Sequence, residues 1–101
     1  MPVVLTAAQN RFLRGQAHGL KAALQTGGKG LTEAFFAELE EVLERHELIK
    51  VKLAAEDRPA RDAMIQQVAQ RTDATIVQHI GHVVILYRPS RDKRNIVLPR
   101  A

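Results

Sequence analysis

The sequence predicts a single compact α/β domain whose elements follow the order α-β-α-β-α-β-β. Apolar residues recur at helical spacing over residues 7–18, 33–47 and 58–72, which predicts three helices. Residues 48–53 alternate apolar with basic, and residues 74–88 are rich in β-branched side chains, which predicts strands. A chain of 101 residues has room for one hydrophobic core. We expect that core at about residues 6–89, with a basic C-terminal tail at residues 90–101.

The first two elements are a helix over residues 7–18 and a strand over residues 22–25. Thr6 is a suitable N-cap for the helix, and Gly19 follows its end. One stripe of the helix, at positions i, i+3 and i+7, consists of Arg11, Arg14 and His18. This stripe is either a solvated surface or part of a binding site, and His18 is expected to cap or pack rather than to catalyse a reaction.

The second helix, over residues 33–47, has the most regular apolar pattern in the chain, and Thr32 is placed to cap it. Six glutamates against one arginine make residues 31–47 strongly negative. We expect most of these carboxylates to face solvent, with a protein partner as the alternative. A paired-carboxylate active site is disfavoured, because no histidine or second acid is fixed opposite them.

The later elements are a half-buried strand, a third helix and a hairpin. Apolar side chains alternate with Lys50 and Lys52 in the strand at residues 48–53, so both lysines project from one face. Gly81 and His82 form the predicted hairpin turn. The remaining elements are a helix at about residues 58–72, strands at 74–80 and 83–88, and an edge strand or packed tail at 96–99.

Charge is distributed unevenly along the chain, although the formal net charge is only +4. Residues 1–30 contain four basic residues and no acidic one, and residues 83–101 contain five basic residues and one acidic one. Both ends therefore suit a polyanion such as RNA. The chain has no cysteine, and His79 and His82 lack a third ligand at suitable spacing. We expect no cofactor, no metal, no membrane association and a cytoplasmic location.

A glycine-rich segment joins the first strand to the second helix and consists of Gly27, Gly28, Lys29 and Gly30. Glycines permit positive φ angles and close approach of a ligand, and the free N–H groups at the start of the next helix attract anions. The spacing matches neither a nucleotide-binding P-loop nor a dinucleotide fingerprint. The segment is either a strand-to-helix turn or a Gly-x-x-Gly loop that clamps a nucleic-acid backbone.

Aromatic residues are few, with three phenylalanines, one tyrosine and no tryptophan. The phenylalanines all lie on predicted core stripes. Proteins that bind single strands stack bases on exposed rings. We therefore expect recognition of the backbone and shape of structured RNA.

Four stretches of the chain run in the order found in one known family. They are LRGQAH at residues 13–18, GGKGLTE at 27–33, HELIKVK at 46–52 and LYRP at 86–89. This arrangement resembles the CRM domain (chloroplast RNA splicing and ribosome maturation) in its stand-alone bacterial, YhbY-like form. The resemblance implies a four-stranded mixed sheet with packed helices, similar to the C-terminal domain of translation initiation factor three. It also implies RNA binding through the Gly-x-x-Gly loop and association with precursors of the large ribosomal subunit.

We therefore expect a monomeric, non-enzymatic protein that binds large-subunit ribosomal RNA or a pre-ribosomal particle. Besides the glycine-rich segment, the expected RNA-binding residues are Arg11, Arg14, Lys21, Lys50, Lys52, Arg88, Arg91, Lys93 and Arg94. The alternative function is a protein-interaction module that acts through the acidic face of the helix at residues 33–47.

Overall fold

Three helices and four strands alternate along the part of the chain that the computed structural model describes, residues 4–26, 30–55, 57–90, 96 and 98–99. Their bounds are α1 Ala7–Ala17, β1 Ala22–Gln25, α2 Glu33–His46, β2 Leu48–Lys52, α3 Arg58–Thr72, β3 Thr75–Ile80 and β4 Val83–Tyr87. The predicted order of elements is confirmed. The predicted bounds of the three helices and of the four strands between residues 22 and 88 all lie within one residue of the observed ones.

The N-termini of the three helices are fixed by side-chain caps. Thr6 and Gln9 form a capping box at α1, in which each side chain accepts a hydrogen bond from the other residue's backbone N–H. The Thr32 hydroxyl accepts from the Phe35 N–H at 3.0 Å, and the Asp57 carboxylate accepts from the Ala60 N–H at 2.9 Å. A cap of this kind stabilises a helix by about 1 kcal/mol, which explains why these boundaries could be predicted.

The strands form one mixed sheet in the order β1-β2-β4-β3. β1 lies parallel to β2, whereas the β2–β4 and β4–β3 pairs are antiparallel. The expected four-stranded mixed sheet is therefore confirmed. Its central strands, β2 and β4, present side chains to both faces.

Helices cover both faces of the sheet, so the core has two parts. On one face, α2 and α3 pack their buried residues, including Phe36 and Val68, against Ile49 and Val51 of β2. On the other face, Leu13 and Ala17 of α1 form a smaller cluster that includes Leu48, Val77, Ile85 and Tyr87. Layers of this kind bury the apolar side of every helix.

Parts of the C-terminal segment pack on the α1 side of the sheet. Ile96 and Leu98 contact the cluster around Leu13, and the Gln9 side chain donates a hydrogen bond to the Pro99 carbonyl at 3.0 Å. Ser90 is buried. Of the two alternatives predicted for residues 96–99, the described residues therefore form a packed tail and not an edge strand.

Candidate nucleic-acid interface

The basic stripe of α1 is exposed. Leu13 and Ala17 are fully buried beneath the helix, whereas Arg11, Arg14 and His18 are exposed along its flank. The helix ends at Ala17, so His18 is its C-cap residue, as the sequence suggested. Two arginines and a histidine therefore border the sheet on the face that α1 covers.

β2 adds two lysines to the same face. Leu48 packs in the cluster beneath α1, whereas Ile49 and Val51 pack beneath α2 and α3. Because side chains alternate along a strand, Lys50 and Lys52 share the side of Leu48. Lys50 is half-buried and Lys52 is exposed.

A shift in register turns two residues of β3 toward these lysines. Strict alternation from Ile76, which packs beneath α2 and α3, would place Gln78 and Ile80 on that side too. The pairing with β4 shifts between Ile76 and Gln78, so that Gln78 lies opposite Ile85 and Ile80 lies opposite Val83. Paired residues share a face, and Ile85 belongs to the α1 side. β-bulges commonly re-aim side chains in this way.

These elements enclose a groove between α1 and the sheet, which we call the α1–sheet groove. Its volume is about 240 Å³. The residues that line it are Arg14, His18, Lys50, Gln78, Ile80, Val83 and Ile85. A wider hollow beside it shares Arg14, His18 and Gln78 and adds Arg11 and Gly15. None of these lining residues is acidic, so the groove favours anions.

Thr26, the residue before the glycine-rich segment, is hydrogen-bonded to the end of β2 and to the residue Ala54. The Thr26 N–H donates to the Lys52 carbonyl at 3.0 Å, and the Thr26 hydroxyl accepts from the Ala54 N–H at 2.8 Å. Gly27, Gly28 and Lys29 lie outside the described residues. Gly30 has φ +72, a conformation that favours glycine, and α2 begins three residues later.

Lys21 is not among the residues that line the groove or the hollow beside it. Lys21 is exposed but lines a different hollow, together with Leu20, Ala23 and His46. Arg91, Lys93 and Arg94 lie outside the described residues.

Arg88 is a correction to the predicted set, because it is buried on the side of α2. Only 7% of the residue is exposed. Its guanidinium donates to the Glu40 carboxylate at 2.6 Å and to the Thr72 carbonyl at 2.9 Å. The arginine that follows β4 therefore ties α2 to the end of α3, and it is not part of an exposed basic surface.

The acidic face of α2 is largely used within the molecule. Five of the six glutamates at residues 33–47 accept side-chain or backbone hydrogen bonds. The pairs are Glu33 with Arg71, Glu40 with Arg88, Glu41 with Arg45, and both Glu44 and Glu47 with Ser90. Of these carboxylates, Glu47 is fully buried, whereas Glu33 and Glu41 remain exposed in their ion pairs.

Sequence reasoning missed Gln78, Ile80 and Glu47. Gln78 and Ile80 reach the groove only because of the register shift in β3. The alternation of apolar and polar residues in the sequence does not reveal that shift. Glu47 lies in the acidic segment whose carboxylates are mostly expected to face solvent, but it is fully buried. Its positive φ of 65° at the helix end is a tertiary feature that composition does not signal.

The described residues offer neither a metal-binding cluster nor a membrane-spanning helix. No group of three or more His, Asp or Glu side chains there could hold a metal ion. No helix in that part of the chain has the length and apolar character needed to cross a membrane.

Known proteins resemble this chain over nearly its whole length. An RNA-binding protein of Haemophilus influenzae is 47% identical over 96 residues, which cover 95% of this chain and 96% of the relative. A probable RNA-binding protein of Bacillus subtilis, YqeI, is 32% identical over 96 residues. The match covers 95% of this chain and all of the relative.

A solved structure shares the fold. The solution structure of a hypothetical protein of Staphylococcus aureus, proposed to bind RNA, matches with a TM-score of 0.79 at 31% identity. The match covers 95% of this chain and all of the other. The family described as the CRS1 / YhbY (CRM) domain matches residues 5–88. With the fold, the motif order and these relatives in agreement, the chain belongs to the CRS1 / YhbY (CRM) domain family.

Proposed function

We propose that this protein binds structured RNA through a surface formed by α1, β2 and the glycine-rich segment. This basic surface consists of Arg11, Arg14, Lys50, Lys52, Gly27, Gly28, Lys29 and Gly30. The observation that carries the proposal is that Arg14 of α1 and Lys50 of β2, far apart in sequence, line one groove without an acidic residue. Relatives named as RNA-binding proteins support RNA as the ligand.

The chemistry of the basic surface suits a phosphate backbone. Arginine and lysine side chains neutralise phosphates and release counterions from the nucleic acid. Free N–H groups at the start of α2 follow Gly30, and helix N-termini of this kind attract phosphate oxygens. The surface would thus position RNA mainly through its backbone.

The proposed partner is large-subunit ribosomal RNA in a precursor particle, and the proposed role is assembly of that subunit. This part rests on the family resemblance carried by residues 13–18, 27–33 and 46–52. Lys21, Arg91, Lys93 and Arg94 would extend the basic surface around the same RNA. The protein would act as a monomer without catalysing a reaction. Sedimentation of cell extracts should place it with large-subunit precursors, and an even spread over all ribosomal fractions would contradict this role.

Charge reversal on α1 tests RNA binding at this surface. We expect Arg14→Glu to weaken binding to a structured large-subunit RNA fragment about tenfold or more, because a lost charge-assisted contact costs roughly 1.5–3 kcal/mol. Arg58→Glu is the matched control, since Arg58 is also exposed but lies on α3, across the sheet. Affinity is measured by filter binding at constant salt, with thermal melts to check folding. Equal losses of RNA affinity in both variants would show that the attraction is non-specific. Unchanged affinity in Arg14→Glu would contradict RNA binding at the basic surface.

A further inference from the structure

The α1–sheet groove has a feature that backbone binding does not use, which is an apolar floor. Ile80, Val83 and Ile85 form this floor, and Ile80 is 61% exposed although it is a large apolar side chain. Single exposed apolar residues are common on protein surfaces. Here, however, the residue lies in a concave site, and it is aimed there by the register shift in β3. Such a floor suits the flat face of a ring.

The polar groups of the groove are arranged around that floor. Lys50, Ile85 and Gln78 form one row across three strands, so about 10 Å separates the backbones at its two ends. The Gln78 carboxamide makes no side-chain hydrogen bond within the described residues, and it can both donate and accept. A carboxamide can pair with the edge of a nucleobase.

Arg14 and His18 form the wall of the groove on the α1 side. Guanidinium and imidazole planes can stack on unpaired bases and are used in this way by RNA-binding proteins. No aromatic ring among the described residues lines the groove, because Tyr87, Phe35 and Phe36 are buried and the half-buried Phe12 packs against the cluster around Leu13. The groove can therefore hold a ring between an aliphatic floor and a cationic wall.

The size of the groove limits what can enter. Pockets for drug-sized ligands measure about 300–1,000 Å³, whereas this one measures about 240 Å³. A base pair is too wide for such a recess, but one base is not. We propose that the α1–sheet groove binds a single unpaired nucleotide that projects from the structured RNA, with its base on Ile80 and its edge against Gln78. This inference rests on the proposed RNA-binding function and adds a nucleotide subsite to it.

Two RNA hairpins with the same stem test the subsite. One is fully paired, and the other carries a single bulged nucleotide, made in four versions with A, C, G or U. Fluorescence anisotropy gives the ratio of the affinities for the bulged and paired forms. We expect wild-type protein to bind at least one bulged hairpin about fivefold or more tightly than the paired one, an amount that one hydrogen bond and a buried ring can supply.

Substitutions in the groove test whether the preference for the bulged hairpin arises there. Gln78→Leu and Ile80→Ser should bring the ratio close to one, whereas Gln66→Leu, at an exposed position of α3, should keep the wild-type ratio. A wild-type ratio of one would overturn the subsite while leaving RNA binding in place. A ratio that survives in both groove variants would also overturn it. Failure of wild-type protein to bind either hairpin would overturn the proposed function together with the subsite.

Discussion

Glu47 joins the end of α2 to the C-terminal segment. Its side chain is fully buried and accepts hydrogen bonds from the backbone N–H groups of Ser90 and Ile96, both at 2.7 Å. Its carbonyl accepts from the Arg88 N–H at 2.8 Å. A buried carboxylate is tolerated when hydrogen bonds replace its lost hydration. Glu47 therefore holds the chain after β4 against the domain.

Removal of this carboxylate should destabilise the fold. In Glu47→Ala, the buried N–H of Ser90 and the part-buried N–H of Ile96 lose their acceptor, and an unsatisfied buried group costs about 1–3 kcal/mol. We expect the free energy of unfolding to fall by about 2–4 kcal/mol in urea denaturation. Glu38→Ala is the control, because Glu38 is exposed on α2, the helix that Glu47 follows, and its effect should stay within about 0.5 kcal/mol. Equal effects of the two variants would contradict the anchoring role.

The exposure of some single residues can be predicted from the sequence, whereas that of others cannot. Arg11 and Arg14 were placed correctly on an exposed stripe because the helix period and the apolar positions determine it. The burial of Arg88 could not be predicted in this way, because it depends on Glu40 and Thr72, which belong to two other elements. A basic residue at the end of a strand carries no local sign of such partners.

At the scale of elements, one ion pair links the start of α2 to the end of α3. The Arg71 guanidinium donates to the Glu33 carboxylate at 2.9 Å and lies 4.3 Å from the centre of the Phe36 ring. This hydrogen bond, and then the charge of Arg71, lower the pKa of the Glu33 carboxyl from its ordinary value. The same pair raises the pKa of Arg71. Both side chains are substantially exposed, so water screens the interaction.

The pKa of Glu33 should rise in Arg71→Gln, as measured by an NMR titration of its side-chain carboxyl carbon. A lowered folded-state pKa means that the pair stabilises the protein above the unfolded-state pKa and loses that effect as pH falls through the folded value. The stability gap between wild type and Arg71→Gln should therefore narrow on acidification. Part of the gap should persist, because the contact with Phe36 is also lost. A Glu33 pKa that is identical in both proteins would contradict this pairing.

The alternation of side chains along a strand predicts which face of the sheet they occupy in β2 but not in β3. β2 is regular from Leu48 to Lys52 in its pairing with β4, so the face of Lys50 and Lys52 follows from the sequence. β3 contains a shift in register, and alternation assigns Gln78 and Ile80 to the wrong face. The part of the candidate site that α1 and β2 supply was therefore predictable, whereas the part from β3 was not.

At the scale of the whole molecule, the sheet separates two kinds of charge. On the α2 side, Glu33 pairs with Arg71 and Glu40 with Arg88. The α1 side carries Arg14 and Lys50 around a groove whose lining has no acid. The sequence showed this segregation along the chain, but only the packing of α1 on the sheet brings its first basic stretch beside β2. The basic surface is thus a product of the fold.

RNA binding across a salt series, compared between wild type and Gly28→Asp/Lys29→Asp, tests the central claim most directly. With a structured fragment of large-subunit RNA, we expect wild-type affinity to fall steeply, with a log–log slope of roughly −0.7 to −0.9 per phosphate contact. The variant should bind more weakly with a shallower slope, while a thermal melt shows that it remains folded. Equal affinity and equal slope would contradict a phosphate-binding role for the glycine-rich segment, which would then be only a turn between β1 and α2.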